Sequence, residues 1–148
     1  MPAARYMMDT TEFNAVAKGE IALSTYARFR VFATHVQLDE LKNDPDEQRR
    51  ARLISAFHQI DPETLPTESA QWDISKWDQA KWPADDGLFD RMLTRLIELD
   101  RRDRGDNQRR DVLIAETAIK NGLTLLSNDG HLRMVTTEFG GHAMQPPR

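Results

Sequence analysis

The chain contains no cysteine, which excludes a disulfide framework and any thiolate-bound metal. No apolar run approaches the roughly 20 residues that cross a bilayer, so no membrane contact is expected. The opening stretch MPAARYMMDTTEF carries charges at Arg5, Asp9 and Glu12, which leaves no room for the apolar centre of a signal peptide. A cytoplasmic protein is expected. An excess of basic residues is missing too. The net charge of −4 speaks against a general nucleic-acid coat protein, while leaving room for a local basic patch beside an acidic site. No window reads as long disorder. At 148 residues the expectation is a single domain, residues 1–148, burying roughly 70% of its unfolded surface.

What the chain does contain is an alternation of strand and helix signals. Tyr6-Met7-Met8 reads as a short buried strand ending at Asp9. A helix over 12–17 follows, with Gly19 as its stop. Ile21 to Phe29 has helical apolar spacing, Val31 to Thr34 reads as a second strand, and His35 to Lys42 as a helix carrying Glu40. Asp44-Pro45 has the form of an N-cap with proline at the first helical position, opening a helix to about Gln59 with Leu53, Ile54 and Phe57 inward. From 61 to 86 the pattern breaks. Pro62, Pro66 and Pro83 interrupt it, and Trp72, Trp77 and Trp82 all fall there. A loop-rich insertion is expected, its indoles either pinning it to the body or stacking on a substrate.

Leu88 to Leu99 again repeats at helical intervals. The charged run DRRDRGDNQRRD, 100–111, leads to a helix that begins near Arg109 and stops at Gly122, with Val112, Ala115, Ala118 and Ile119 inward. LTLLS, 123–127, is a third strand. Asp129 can cap a helix of about 130–137, and His142-Ala143-Met144 is a candidate last strand. Such alternation implies an α/β domain with parallel strands joined by right-handed crossovers.

In open parallel sheets, ligands bind outside the carboxyl ends of the strands. Asp9 follows the first strand, Asp129 the third, and Glu40 lies within two turns of the end of the second. Asp111 falls in the first turn of the helix leading into the third strand. Like charges a few ångströms apart repel, and a hard divalent cation removes the conflict. Magnesium takes oxygen ligands, needs only one or two direct carboxylates, and keeps waters that further acids can orient. Each acid also has a plain structural reading. Asp9 and Asp129 are good N-caps, Asp111 gains from the helix dipole, and Glu40 suits a solvated helix face.

YMMDTTEF, THVQLDELKN, RDVLIAETAIKNGLTLLSND and GHLRMV together resemble, in this order, the PIN-domain ribonucleases, and among them the VapC-type toxins of bacterial toxin–antitoxin pairs. The resemblance covers most of the chain and is most specific from Asp111 to Asp129. It implies a three-layer α/β/α sandwich on a central parallel sheet. It implies an acidic quartet of Asp9, Glu40, Asp111 and Asp129, with Asp9, Asp129 and Asp111 toward a Mg²⁺ or Mn²⁺ ion. Thr10 and Asn128 would orient substrate or metal-bound waters. Thr11 and Glu116 stand where the family often has asparagine and alanine. The implied activity is metal-dependent hydrolysis of RNA, single-stranded for preference because its bases are accessible. Arg101, Arg102, Arg104, Arg109 and Arg110 are candidates for the phosphate backbone, unless Asp100, Asp103 and Asp106 neutralise the run. A cognate antitoxin and a homodimer are further implications.

A non-catalytic PIN-like module that binds RNA or a protein is the alternative. A phosphoacceptor receiver-like domain would want a lysine after a late strand, and none follows LTLLS. A haloacid-dehalogenase-like phosphatase would want Asp-x-Asp after its first strand, and Asp9-Thr10-Thr11 does not supply it.

Overall fold

The computed structural model describes residues 4–67, 87–103 and 105–146. Trp72, Trp77, Trp82 and Arg104, and most of the expected insertion, lie outside the described residues. Among the described residues, five strands form one sheet: β1 (Arg5–Met8), β2 (Arg30–Ala33), β3 (Glu63–Thr64), β4 (Thr124–Leu126) and β5 (His142–Met144). Their order is β3-β2-β1-β4-β5, and every pairing is parallel. The helices are α1 (Thr10–Ala17), α2 (His35–Lys42), α3 (Glu47–Ile60), α4 (Leu88–Asp100), α5 (Asp106–Lys120) and α6 (Gly130–Glu138), with a 3₁₀ turn at Leu23–Tyr26.

Strand periodicity explains the three layers. Successive side chains point to opposite faces, so a parallel sheet covered on both sides needs continuous apolar runs. Met7, Phe32 and Leu125 enter one core with Met92 and Leu96 of α4, Val112 and Ala115 of α5, and Leu132 and Val135 of α6. Met8, Val31, Ala33 and Leu126 enter a second core with Phe13 of α1 and Leu53 and Phe57 of α3. The fold is therefore a three-layer α/β/α sandwich on a central parallel sheet.

Four details differ from the sequence expectation. First, α5 begins at Asp106 rather than near Arg109, so Asp111 lies in its second turn. The opening residues are polar and give no apolar signal. They are anchored instead by buried Gln108, whose Nε2 donates to Asp100 Oδ2 (2.8 Å) and to the Arg102 carbonyl (3.0 Å). Second, α3 is capped by Asp46, which accepts from the Arg49 N–H (3.0 Å), and not by Asp44. Asp44 turns to the Arg49 guanidinium instead, at 2.7 Å. Third, only Leu23–Tyr26 of the 21–29 stretch is helical, as a 3₁₀ turn. Fourth, 61–67 contains the edge strand β3, tied to β2 by the Leu65 N–H to the Ala33 carbonyl (2.9 Å) and by Arg30 and Glu63 (2.9 Å). Two exposed residues leave no alternating pattern to read.

The chain lays down β1, β2 and β3 in one direction, then returns to place β4 on the other side of β1. The strand order thus reverses between β1 and β4, the place where open α/β sheets leave a crevice at their carboxyl edge.

Candidate active site

Asp9 leaves β1 in extended conformation and becomes the N-cap of α1. Its Oδ1 accepts from the Thr10 N–H at 2.8 Å, and its Oδ2 accepts from the Ser127 hydroxyl at 2.7 Å. Ser127, fully buried just past β4, also accepts the N–H of Asp129 at 3.1 Å. One hydroxyl therefore fixes the carboxylate at the end of β1 and the turn that carries the carboxylate at the end of β4. Asp129 Oδ1 caps α6, accepting from His131 (3.0 Å) and Leu132 (3.2 Å). Among the described residues its Oδ2 accepts no hydrogen bond, which leaves that oxygen for the cleft.

Glu40 arrives by a different device. Thr34 and Gln37 form a capping box that opens α2: the Gln37 Oε1 accepts from the Thr34 N–H at 2.8 Å, and the Thr34 hydroxyl accepts from Val36. The Gln37 Nε2 then donates to the carbonyl of Met8 at 2.8 Å, clamping the start of α2 to the residue before Asp9. One turn further on, Glu40 accepts from the Thr10 hydroxyl at 3.0 Å. The N-cap of α1 and the third acid are thus joined through Thr10.

Asp9, Glu40, Asp111 and Asp129 all line one open cleft of about 510 Å³. Thr10, Thr11 and Asn14 of α1, with Lys18 at its C-cap, form one wall. Asp44, Arg49 and Leu53 stand on the α3 side, and Asn107, one helical turn before Asp111, on the α5 side. The sequence-predicted quartet and Thr10 are therefore brought together. Asn128 is exposed and does not line the cleft. Arg109 and Arg110 also stand off its walls: Arg109 lies 3.7 Å from Asp106, and Arg110 contacts Asn107 (3.5 Å) and acts on Glu40 through its charge. Glu116 does not line the cleft either. It is fully buried beside Lys120, 3.2 Å away. His131 stands at 2.7 Å from Asp100.

The electrostatics are strained for a site holding only protein groups. Asp9 is only 5% exposed. Its burial pushes its carboxyl above the ordinary value, and the charge of Asp129 adds to the rise, while the Ser127 and Thr10 bonds oppose it. Glu40 is raised by burial and by Asp9, against the Thr10 bond and the charge of Arg110. Bringing these acids to their charged forms requires compensation. Among the described residues, no three His, Cys, Asp or Glu side chains lie close enough to hold a metal ion by themselves. A hard cation that retains most of its waters needs only one or two such ligands.

Several of these residues give weak sequence signals. Ser127 reads only as the end of a strand. Asn14 and Lys18 follow Thr10 at successive four-residue steps on α1, a spacing that names one helix face but not what it faces.

Fold comparison agrees with this architecture. The chain matches a VapBC-5 structure of Mycobacterium tuberculosis, a member of the VapBC family of toxin–antitoxin systems, with TM-score 0.54 and 23% identity over 97% of this chain and 99% of that one. It matches VapBC2 of Rickettsia felis, solved bound to a DNA fragment from their promoter, with TM-score 0.52 and 15% identity over 97% and 99%. A domain of a functionally unknown protein from Methanocaldococcus jannaschii matches with TM-score 0.53 and 14% identity over 99% and 93%. No protein-family model and no curated protein matches the chain in sequence. The fold is PIN-like and is shared with these VapBC structures. Among the described residues, no helix is long and apolar enough to cross a membrane.

Proposed function

We propose that the chain is a metal-dependent endoribonuclease that hydrolyses phosphodiester bonds of single-stranded or structured RNA. The single observation that carries this reading is the convergence of Asp9, Glu40, Asp111 and Asp129 on one cleft at the carboxyl edge of the sheet. The donor set fits Mg²⁺ or Mn²⁺: all oxygen, with one Asp129 oxygen free of protein hydrogen bonds among the described residues and a buried carboxylate at Asp9 whose charge lacks a facing cation. Asp9 and Asp129 would hold the ion, with Asp111 near it. A bound cation of this kind supplies charge neutralisation at a phosphate and a more acidic water. The chain's own residues do the rest. Ser127 and the Thr10 amide hold Asp9 in place, Glu40 and Asp111 complete the acidic lining of the cleft, and the Thr10 hydroxyl fixes Glu40.

The likeness to VapBC structures supports a cognate antitoxin as partner. A homodimer working in the cytoplasm belongs to the same proposal. A second reading, a non-catalytic PIN-like module that binds RNA or a protein, draws on the lack of three directly ligating groups within metal range among the described residues.

The test is cleavage of RNA by purified protein in Mg²⁺ or Mn²⁺, stopped by chelator. Asp9→Asn combined with Asp129→Asn should lower the rate by at least about 10²-fold. Cleavage that persists unchanged in that double variant defeats the nuclease reading, and RNA retention without cleavage in any metal favours the second.

A further inference from the structure

The cleft does not end at the acids. Along α1 its wall runs from Thr10 through Asn14 to Lys18, about 12 Å of helix axis, which is longer than a single metal site requires. Its character changes over that length. Asp9, Glu40, Asp111 and Asp129 occupy one part, whereas the cations among its lining residues are Lys18 and Arg49. Lys18 is exposed and makes no ion pair among the described residues.

Arg49 is less easily explained by helix stability. It lies in the first turn of α3, where the helix dipole favours acids and disfavours cations. Asp44 holds it there through Nε at 2.7 Å, and Asp46 accepts its backbone N–H. Arg49 keeps Asp44 below the ordinary carboxylate range, so the pair stays charged. Among the described residues the two terminal nitrogens of Arg49 make no hydrogen bond, and its side chain is about half exposed at 49%. A guanidinium gripped at Nε, on a residue that lines an open cleft, has N–H donors left to meet an oxyanion. Asn14 lies between the two regions on the α1 wall and can donate to an oxygen from its amide.

We propose that Lys18 and Arg49 form a phosphate subsite that holds the RNA backbone next to the acidic floor, with Asn14 as a bridging donor. This rests on the ribonuclease reading for its ligand. It also moves backbone recognition away from the arginine-rich 100–110 run. There Arg109 and Arg110 stand off the cleft walls, and Arg101 and Arg102 are exposed without lining it. The single strand would lie along α1, its scissile phosphate over Asp9 and Asp129 and a neighbouring phosphate between Lys18 and Arg49.

Binding of a short fluorescent single-stranded oligouridylate tests this. It is measured as a function of salt in the full chain carrying Asp9→Asn and Asp129→Asn, which suppresses turnover and lowers repulsion from the floor. Adding Lys18→Gln and Arg49→Gln should reduce the slope of log affinity against log salt by about 0.7, for the one phosphate charge no longer neutralised, and weaken low-salt binding about tenfold. Lys18→Arg with Arg49→Lys should keep the slope, and Arg101→Gln with Arg102→Gln should leave it unchanged. Melting curves of each variant separate weaker phosphate binding from impaired folding. The subsite is overturned if the glutamine pair binds like its parent, if the parent does not bind RNA, or if the Arg101 and Arg102 variant carries the loss. Cleavage of the same RNA by the unsubstituted chain in Mn²⁺ is scored separately. Its absence alongside an intact salt effect rejects the hydrolytic reading and keeps the subsite.

Discussion

Ser127 carries more of the site than its size suggests. Its hydroxyl donates a hydrogen bond to Asp9 and accepts one from the Asp129 amide, in a fully buried position where each bond counts. Hydrogen bonds to charged groups contribute about 1.5–3 kcal/mol, so Ser127→Ala should lower kcat/KM about tenfold or more. A merely structural role would stop there. Because the Ser127 bond opposes the upward push of burial on Asp9, its loss also raises that carboxyl further. The acid limb of the pH–rate profile should therefore move to higher pH in Ser127→Ala, and Ser127→Thr should move it back. A limb that stays in place would mean the hydroxyl does not tune Asp9. None of this is readable from the residue type, since a serine ending an apolar strand looks like a solvated turn.

At the scale of elements, the site depends on how helices are docked to strand ends. The turn from α6 into β5 shows how tight that docking is. A Cβ on Gly141 would meet Ile119 Cγ1 at 2.6 Å and the Thr136 carbonyl at 3.1 Å. The isoleucine Cγ1 sits on a β-branched side chain that is stiff at χ1, and the α6 backbone cannot give way either. Gly141→Ala should cost about 1–3 kcal/mol in urea unfolding, with RNA cleavage per folded molecule nearly unchanged. The sequence shows these elements well where apolar residues recur at regular spacing: β1, β2, β4, α2 and α4 stand close to where periodicity places them. It fails where polar groups set the boundary. The start of α5 rests on Gln108 and its acceptors, the start of α3 on the choice between Asp44 and Asp46, and β3 on two exposed residues. A hydropathy pattern carries no record of which carboxylate turns inward to a backbone amide. The quartet itself is legible because strand-end acids in an α/β chain share one edge whatever the details of register. Lys18, Asn14 and Arg49 are not, because their meaning depends on α1 packing against α3.

For the whole molecule, gathering these acids links stability to pH. Asp9 and Glu40 both have raised values in the folded state. The folded form therefore holds protons that the unfolded chain has already released. Its stability falls as pH rises from the ordinary carboxylate range through the raised values, and above them the full penalty remains. Asp44, Glu63 and Glu138, lowered by arginine partners, have the opposite sign and act only in stronger acid. In chelator the melting temperature should decline as pH rises above the ordinary carboxylate range, and Asp9→Asn should flatten that decline. Mn²⁺ should raise the melting temperature more at the higher pH, where both carboxylates are ionised. Equal stabilisation at both ends of the range would separate cation binding from these acids.

Asp9 and the serine that fixes it are 118 positions apart and meet only because β4 pairs with β1. A ribosome-bound chain therefore has an N-terminal carboxylate with nothing to complete it until the late strand has left the exit tunnel and slotted in beside the first. Whatever chemistry this cup performs has to wait for that late pairing.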